Sequence, residues 1–221
     1  MTTVATKNAV FVHIPKTGGT TVMLALAKMN LIEYDYRFQL MRPDLHGLTY
    51  DGECRLMKDG KHIDHPHNSN PHATRSQLRV EDRDKPIIQV IRQPHDWYSS
   101  FWAHHKRFNW TFTSGMPSGL LRGGATNNFR QWLNNIISGK PPGFCTRYFQ
   151  MYGGEDCLQV RLEHLIDDWR SVTEHLGLAD AADHMNVKRN LNESQERTSL
   201  KVPPYIIEQL KTLDRVIYER Y

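Results

Sequence analysis

Residues 9–29 change their hydrophobic period across a single short loop, and this constrains the fold more than any other stretch of the chain. Ala9-Val10-Phe11-Val12-His13-Ile14 is a short, apolar run, rich in β-branched residues, and reads as a buried strand. Pro15 and the Gly18-Gly19 pair interrupt it. Beyond them Val22, Leu26 and Met29 fall on one face of a helix that Thr20 or Thr21 can cap. The order is strand, tight loop, helix.

The same alternation continues. A short strand is expected at Leu31 to Tyr36 and a second buried strand at Ile87-Ile88-Gln89-Val90-Ile91, introduced by Lys85-Pro86. The latter ends in Arg92-Gln93-Pro94, and Trp97, Phe101 and His105 follow at helical spacing. A helix over 126–138 turns Phe129, Trp132, Leu133, Ile136 and Ile137 inward and stops at Gly139. A strand at Leu158 to Leu162 precedes a helix over 167–176 closed by Gly177. The last helix starts at Pro203-Pro204, with Ile206, Leu210, Leu213 and Ile217 along one face. Residues 41–72 have no helical period but carry the turn signals Asp51-Gly52 and Asp59-Gly60, which predicts an irregular insertion with a small hairpin. Strands alternating with helices predict a single α/β domain over residues 1–221, with a central, mostly parallel sheet flanked by helices.

Composition excludes several classes. At 221 residues with 39% hydrophobic and 24% charged residues, the chain can bury a core and is neither disordered nor fibrous. No stretch reaches the ~18 apolar residues a membrane span needs. Met1 to Asn8 is polar and shows no signal-peptide pattern, so a cytoplasmic protein without membrane contact is expected. Cys54, Cys145 and Cys157 are widely spaced, which provides neither a disulfide framework nor an all-cysteine zinc site. The net charge of +4 suits an anionic ligand but is too small to imply nucleic acid.

Chemistry concentrates at His13-Ile14-Pro15-Lys16-Thr17-Gly18-Gly19-Thr20-Thr21. Glycines let a backbone approach an oxyanion, and N–H groups at a helix start point towards it. Thr17, Thr20 and Thr21 add hydroxyl donors and Lys16 a positive charge. The loop is not of the Walker A type, because Lys16 precedes the glycines rather than following them. The plainer reading is a Gly-Gly turn beside a solvated lysine.

This loop resembles the 5′-phosphosulfate loop of sulfotransferases that use 3′-phosphoadenosine 5′-phosphosulfate (PAPS), and is most similar to that of the carbohydrate, uronyl 2-O-type enzymes. The resemblance assigns Lys16 to the leaving-phosphate side of the scissile bond, and Lys16, Thr17, Gly18, Gly19, Thr20 and Thr21 to the 5′-phosphate. The family's second signature, a strand ending in R-[DN]-P with a serine eight positions after the arginine, falls on Arg92 and Ser100, which it assigns to the 3′-phosphate; Gln93 departs from the pattern. An arginine fork and a neutral hydroxyl suit that group. Arg161-Leu162-Glu163 with Leu165 and Asp168 resembles a later family segment, and Arg197 and Lys201 match a basic loop over the cofactor. Residues 41–72 and 107–155 match no family motif and are expected to be acceptor-side insertions. The resemblance further implies a P-loop-kinase-like fold, PAPS as donor, adenosine 3′,5′-bisphosphate (PAP) as product, and no metal.

Sulfuryl transfer needs a base for the acceptor hydroxyl, and histidine suits that task near neutral pH. The candidates are His46, His62, His65, His67 and His72. His72 precedes Arg92 by nearly the interval found in the uronyl 2-O-enzymes, which makes it the first choice and His67 the second. A surface histidine ahead of a short helix at Thr74 is the plainer alternative for His72. His62, His65 and His67 also have spacing that can close on zinc with Asp64 or Cys54, but no H-E-x-x-H helix accompanies them. His104-His105-Lys106-Arg107 reads as the solvated basic end of a helix, and Trp97, Trp102 and Trp110 as packing residues.

The sequence therefore predicts transfer of sulfuryl from PAPS to an acceptor hydroxyl, of a glycan or a small molecule, by in-line displacement with a histidine base. Two rivals are a P-loop small-molecule or nucleotide kinase and a non-catalytic PAP-binding module.

Overall fold

The apolar run at residues 9–14 lies in the middle of a six-stranded sheet. The computed structural model describes residues 3–51, 55–64, 72–107, 110, 126–177 and 200–221. They divide into two compact units, one within Met1–Ile91 and Met151–Leu191, the other within Arg92–Gln150 and Asn192–Tyr221.

The first unit holds strands β1 (Val4–Ala5), β2 (Val10–Val12), β3 (Tyr34–Asp35) and β4 (Leu40–Met41). Further along lie β5 (Thr49–Tyr50), β6 (Leu56–Lys58), β7 (Lys61–His62), β8 (Ile87–Ile91) and β9 (Leu158–Arg161). The main sheet has the order β4-β3-β1-β2-β8-β9. Only β2, β8 and β9 run parallel; β1, β3 and β4 join antiparallel. The sheet is thus mixed rather than mostly parallel. Its antiparallel half consists of two-residue strands, too short to show a period of their own.

Helices α1 (Gly19–Lys28) and α5 (Leu165–His175) supply apolar faces to one side of this sheet. Phe11, Ile88, Val90 and Val160 from the strands form one core with Val22, Ala25 and Leu26 of α1 and Leu165, Trp169 and Val172 of α5. Burial of these side chains is worth ~2 kcal/mol each and orients both helices. Arg161 ties β9 to α5 through Asp168, with side-chain distances of 2.7 and 2.8 Å and a third bond from its backbone N–H to Asp168 Oδ2. The segment that resembles a family motif is therefore also a structural clasp.

The expected hairpin in the insertion is β6 and β7, turned by Asp59 and Gly60 at φ 50 and 75°, with β5 as a third strand. Before β8, Asp82 is wholly buried against the Tyr36 hydroxyl (2.8 Å), Arg79 (2.6 Å) and Lys85 (2.8 Å), which fixes the entry to that strand.

The second unit holds α2 (Pro94–Arg107), α3 (Phe129–Ile137), α4 (Phe144–Tyr152), α6 (Pro204–Leu213) and α7 (Arg215–Tyr218). Trp97, Tyr98, Phe101, Trp132, Phe144, Tyr148 and Phe149 pack as an aromatic core, mostly tilted or edge-on. His105 belongs to this core, ring-to-ring with Phe101 and stacked on Trp110, so it is buried rather than solvated as its sequence position suggested. The expected single C-terminal helix is broken at Asp214, which is drawn inside. No helix among the described residues is long and apolar enough to cross a membrane.

Candidate functional site

β2 ends at Val12, and the chain enters the loop with His13 and Ile14 buried. Lys16 then adopts φ 71°, a left-handed conformation unusual for a residue with a side chain, and Gly18 repeats it at φ 78°. Turns through left-handed residues form anion-binding concavities. Thr17 is locked beneath, its hydroxyl donating to the Ile14 carbonyl at 2.9 Å. Helix α1 begins directly afterwards, and Gly18 at its N-cap offers no side-chain hydrogen bond. The expected threonine cap is not used: Thr20 and Thr21 stand inside the first turn.

Both glycines also answer to packing. A Cβ at Gly18 would run into the Leu162 side chain, and one at Gly19 would run into the His13 ring. His13 is the residue that sequence reasoning missed. The sequence placed it at the head of the loop but gave it no role of its own, and it is 1% exposed. Its Nδ1 lies 3.1 Å from Nδ1 of His72, with the ring centroids 4.9 Å apart. The Thr3 hydroxyl braces the pair, accepting from the His13 backbone N–H (3.3 Å) and donating to the Ala73 carbonyl (3.0 Å). The fold thereby brings the preferred base candidate, 59 residues away in sequence, against the first residue of the loop.

Burial pushes the His72 imidazole down to about 4, with Arg37 adding to the effect. Burial likewise holds His13 well below the ordinary histidine value, helped by His72, Lys16 and Arg37. Both rings are therefore neutral near pH 7. The unfolded chain takes up protons first as pH falls, so stability is lost from about 6.5 downward, towards about 4 for His72. Between pH 7 and 5 the expected loss from His72 is about 2 kcal/mol, and His13 adds to it in the same direction. Urea unfolding at the two pH values, on wild type and on His13→Asn/His72→Asn, measures it: the double variant should lose this part of the pH dependence.

The other candidates lie elsewhere. His46 ends a short 3-10 helix and is exposed. His62 is exposed on β7, 3.3 Å from Asp51. His65, His67, Cys54 and Arg197 fall outside the described residues. Among the described residues no group of three or more His, Cys, Asp or Glu side chains could hold a metal ion.

β8 runs parallel to β2 with Val12 opposite Gln89, so the two strands point towards the same end of the sheet. Arg92 follows β8 in the chain. In the second unit Arg92 is buried (3% exposed), and Ser100 is buried on α2. Lys201 is exposed ahead of α6. No protein-family model, no curated protein and no solved structure matches this chain.

Proposed function

We propose that the chain is a PAPS-dependent sulfotransferase with a P-loop-kinase-like core, acting in the cytoplasm on a hydroxyl of a carbohydrate or of a small molecule. One observation carries the reading: His72, the candidate base, is held at 3.1 Å against His13, where the candidate phosphate loop begins. A base and an anion cradle in one constellation suit a transfer in which a proton leaves the acceptor as negative charge grows on the leaving phosphate.

In this reading the acceptor oxygen attacks sulfur as the sulfur–oxygen bond to the 5′-phosphate breaks. His72 takes the hydroxyl proton, and PAP departs with the bonding pair. Lys16 and the amides at the start of α1 stabilise the 5′-phosphate; Arg92 and Ser100 are assigned to the 3′-phosphate by the resemblance. Arg197 and Lys201 are assigned to the loop over the nucleotide by resemblance alone. Lys16 and Arg92 supply the positive charge, so the transfer requires no metal.

Calorimetric titration tests this. PAP is expected to bind wild type without metal, and Arg92→Ala to weaken it about 10- to 100-fold, the loss of one charge-assisted phosphate contact. Preference for ATP with Mg²⁺ would instead establish a kinase, and binding of neither would overturn the nucleotide assignment. PAP binding without transfer to any hydroxyl would leave a binding module.

A further inference from the structure

We propose that His13 is a positioning residue: it accepts the Nδ1 proton of His72, which places the basic lone pair of His72 on Nε2, and an anion at the start of α1 favours that arrangement. The inference rests on the reading above for the role of His72 and adds how its reactive atom is chosen.

A neutral imidazole carries one N–H and one lone pair, and two nitrogens 3.1 Å apart share one proton between them. Either His72 donates from Nδ1, leaving His13 protonated on Nε2, or His13 donates and His72 is protonated on Nε2. Only the first makes His72 Nε2 a base.

The far side of His13 selects the first. Its Nε2 is buried, has no hydrogen-bond partner among the described residues, and lies over Gly19, the first residue of α1. An anion at this helix start attracts an N–H dipole on Nε2 and repels a lone pair there. Among the described residues Lys16 and Arg37 act on His13 as positive charges, and both favour the lone pair until an anion offsets them. Filling the loop consequently shifts the proton pattern of the pair towards the reactive form of His72.

The test is long-range proton–nitrogen NMR on protein labelled with ¹⁵N-histidine, with inorganic phosphate and with PAP as separate probes. With the loop filled, His72 should show a protonated Nδ1 and a bare Nε2, and His13 the reverse. His13→Asn, whose side-chain oxygen can stand in for Nδ1, should keep the His72 pattern. His13→Phe should let His72 revert towards the Nε2-protonated form that free imidazole side chains prefer. In transfer assays His13→Phe should lower kcat about a hundredfold with the PAPS KM little changed, and His13→Asn should recover most of it. His72 protonated on Nε2 in anion-loaded wild type, or unchanged in a folded His13→Phe, overturns the inference. The expected NMR patterns without any sulfuryl transfer would retire the functional reading and leave the coupled pair standing.

Discussion

Alanine at Lys16 is expected to lower sulfuryl transfer by about two to three orders of magnitude while leaving the fold intact. The size follows from the charge that builds on the leaving phosphate: removing one preorganised donor to such a charge costs about 10²–10³ in turnover. The fold should survive because Lys16 is only half-buried and its backbone is left-handed at φ 71°. A residue with a Cβ in that region is strained by about 1 kcal/mol, so the backbone conformation itself disfavours lysine there. Strain retained at a site is better explained by what the side chain does. Lys16→Gly sharpens the test, since glycine adopts this conformation freely. It should match or exceed wild type in thermal midpoint and be as inactive as Lys16→Ala, whereas Lys16→Arg should keep part of the activity. Transfer of radiolabelled sulfate from PAPS to a panel of oligosaccharides and small alcohols, measured beside thermal unfolding, reads both properties. Turnover within threefold of wild type in Lys16→Ala would remove the lysine from the chemistry.

The loop was legible because each of its parts has a local signature. An apolar run of six, a proline, two glycines and a helical spacing mark strand, turn and helix without reference to the rest of the chain. The same holds for β8 and α2, where Lys85-Pro86 and Arg92-Gln93-Pro94 punctuate a run of five buried residues. What stayed hidden depends on partners distant in sequence. β1 and β4 are two-residue strands that exist through pairing, so no period announces them, whereas β3 lies within the strand expected at Leu31 to Tyr36. The glycines suggested room for an oxyanion, but part of that room is taken by Leu162 and by the His13 ring. His13 was given no role because its meaning lies in His72, 59 residues away. The zinc-like spacing of His62, His65 and His67 is likewise a local pattern that only tertiary contacts can weigh; of the three, His62 is among the described residues and sits exposed beside Asp51.

Asp214 was hidden for a similar reason, and replacing it with alanine should produce the largest stability loss of any single change considered. The apolar spacing Ile206, Leu210, Leu213 and Ile217 runs past it as though one helix continued, yet the chain breaks there and buries the carboxylate completely. Its Oδ1 accepts the Thr146 backbone N–H at 2.8 Å, serving as a cap for the start of α4, and its Oδ2 accepts the Tyr98 hydroxyl at 2.8 Å. Tyr98 in turn accepts the Cys145 N–H at 3.0 Å, so two helices and a chain turn meet at one side chain. Alanine leaves two buried donors without an acceptor, at about 1–3 kcal/mol each, and the expected total of about 3–4 kcal/mol is a large part of a typical folding margin. Burial raises the Asp214 carboxyl above its usual value despite the bonds from Thr146 and Tyr98. The fold therefore holds this proton more tightly than the unfolded chain does, and the associated stability is present below pH 3.8 and lost as pH rises through the raised value. Asparagine mimics the neutral acid and cannot lose a proton, so Asp214→Asn should cost less than half as much as alanine and should gain on wild type as pH rises above 4. Urea unfolding across that range reads both slopes. A loss below about 1 kcal/mol for Asp214→Ala would mean that water replaces the carboxylate and that the junction is not held by it.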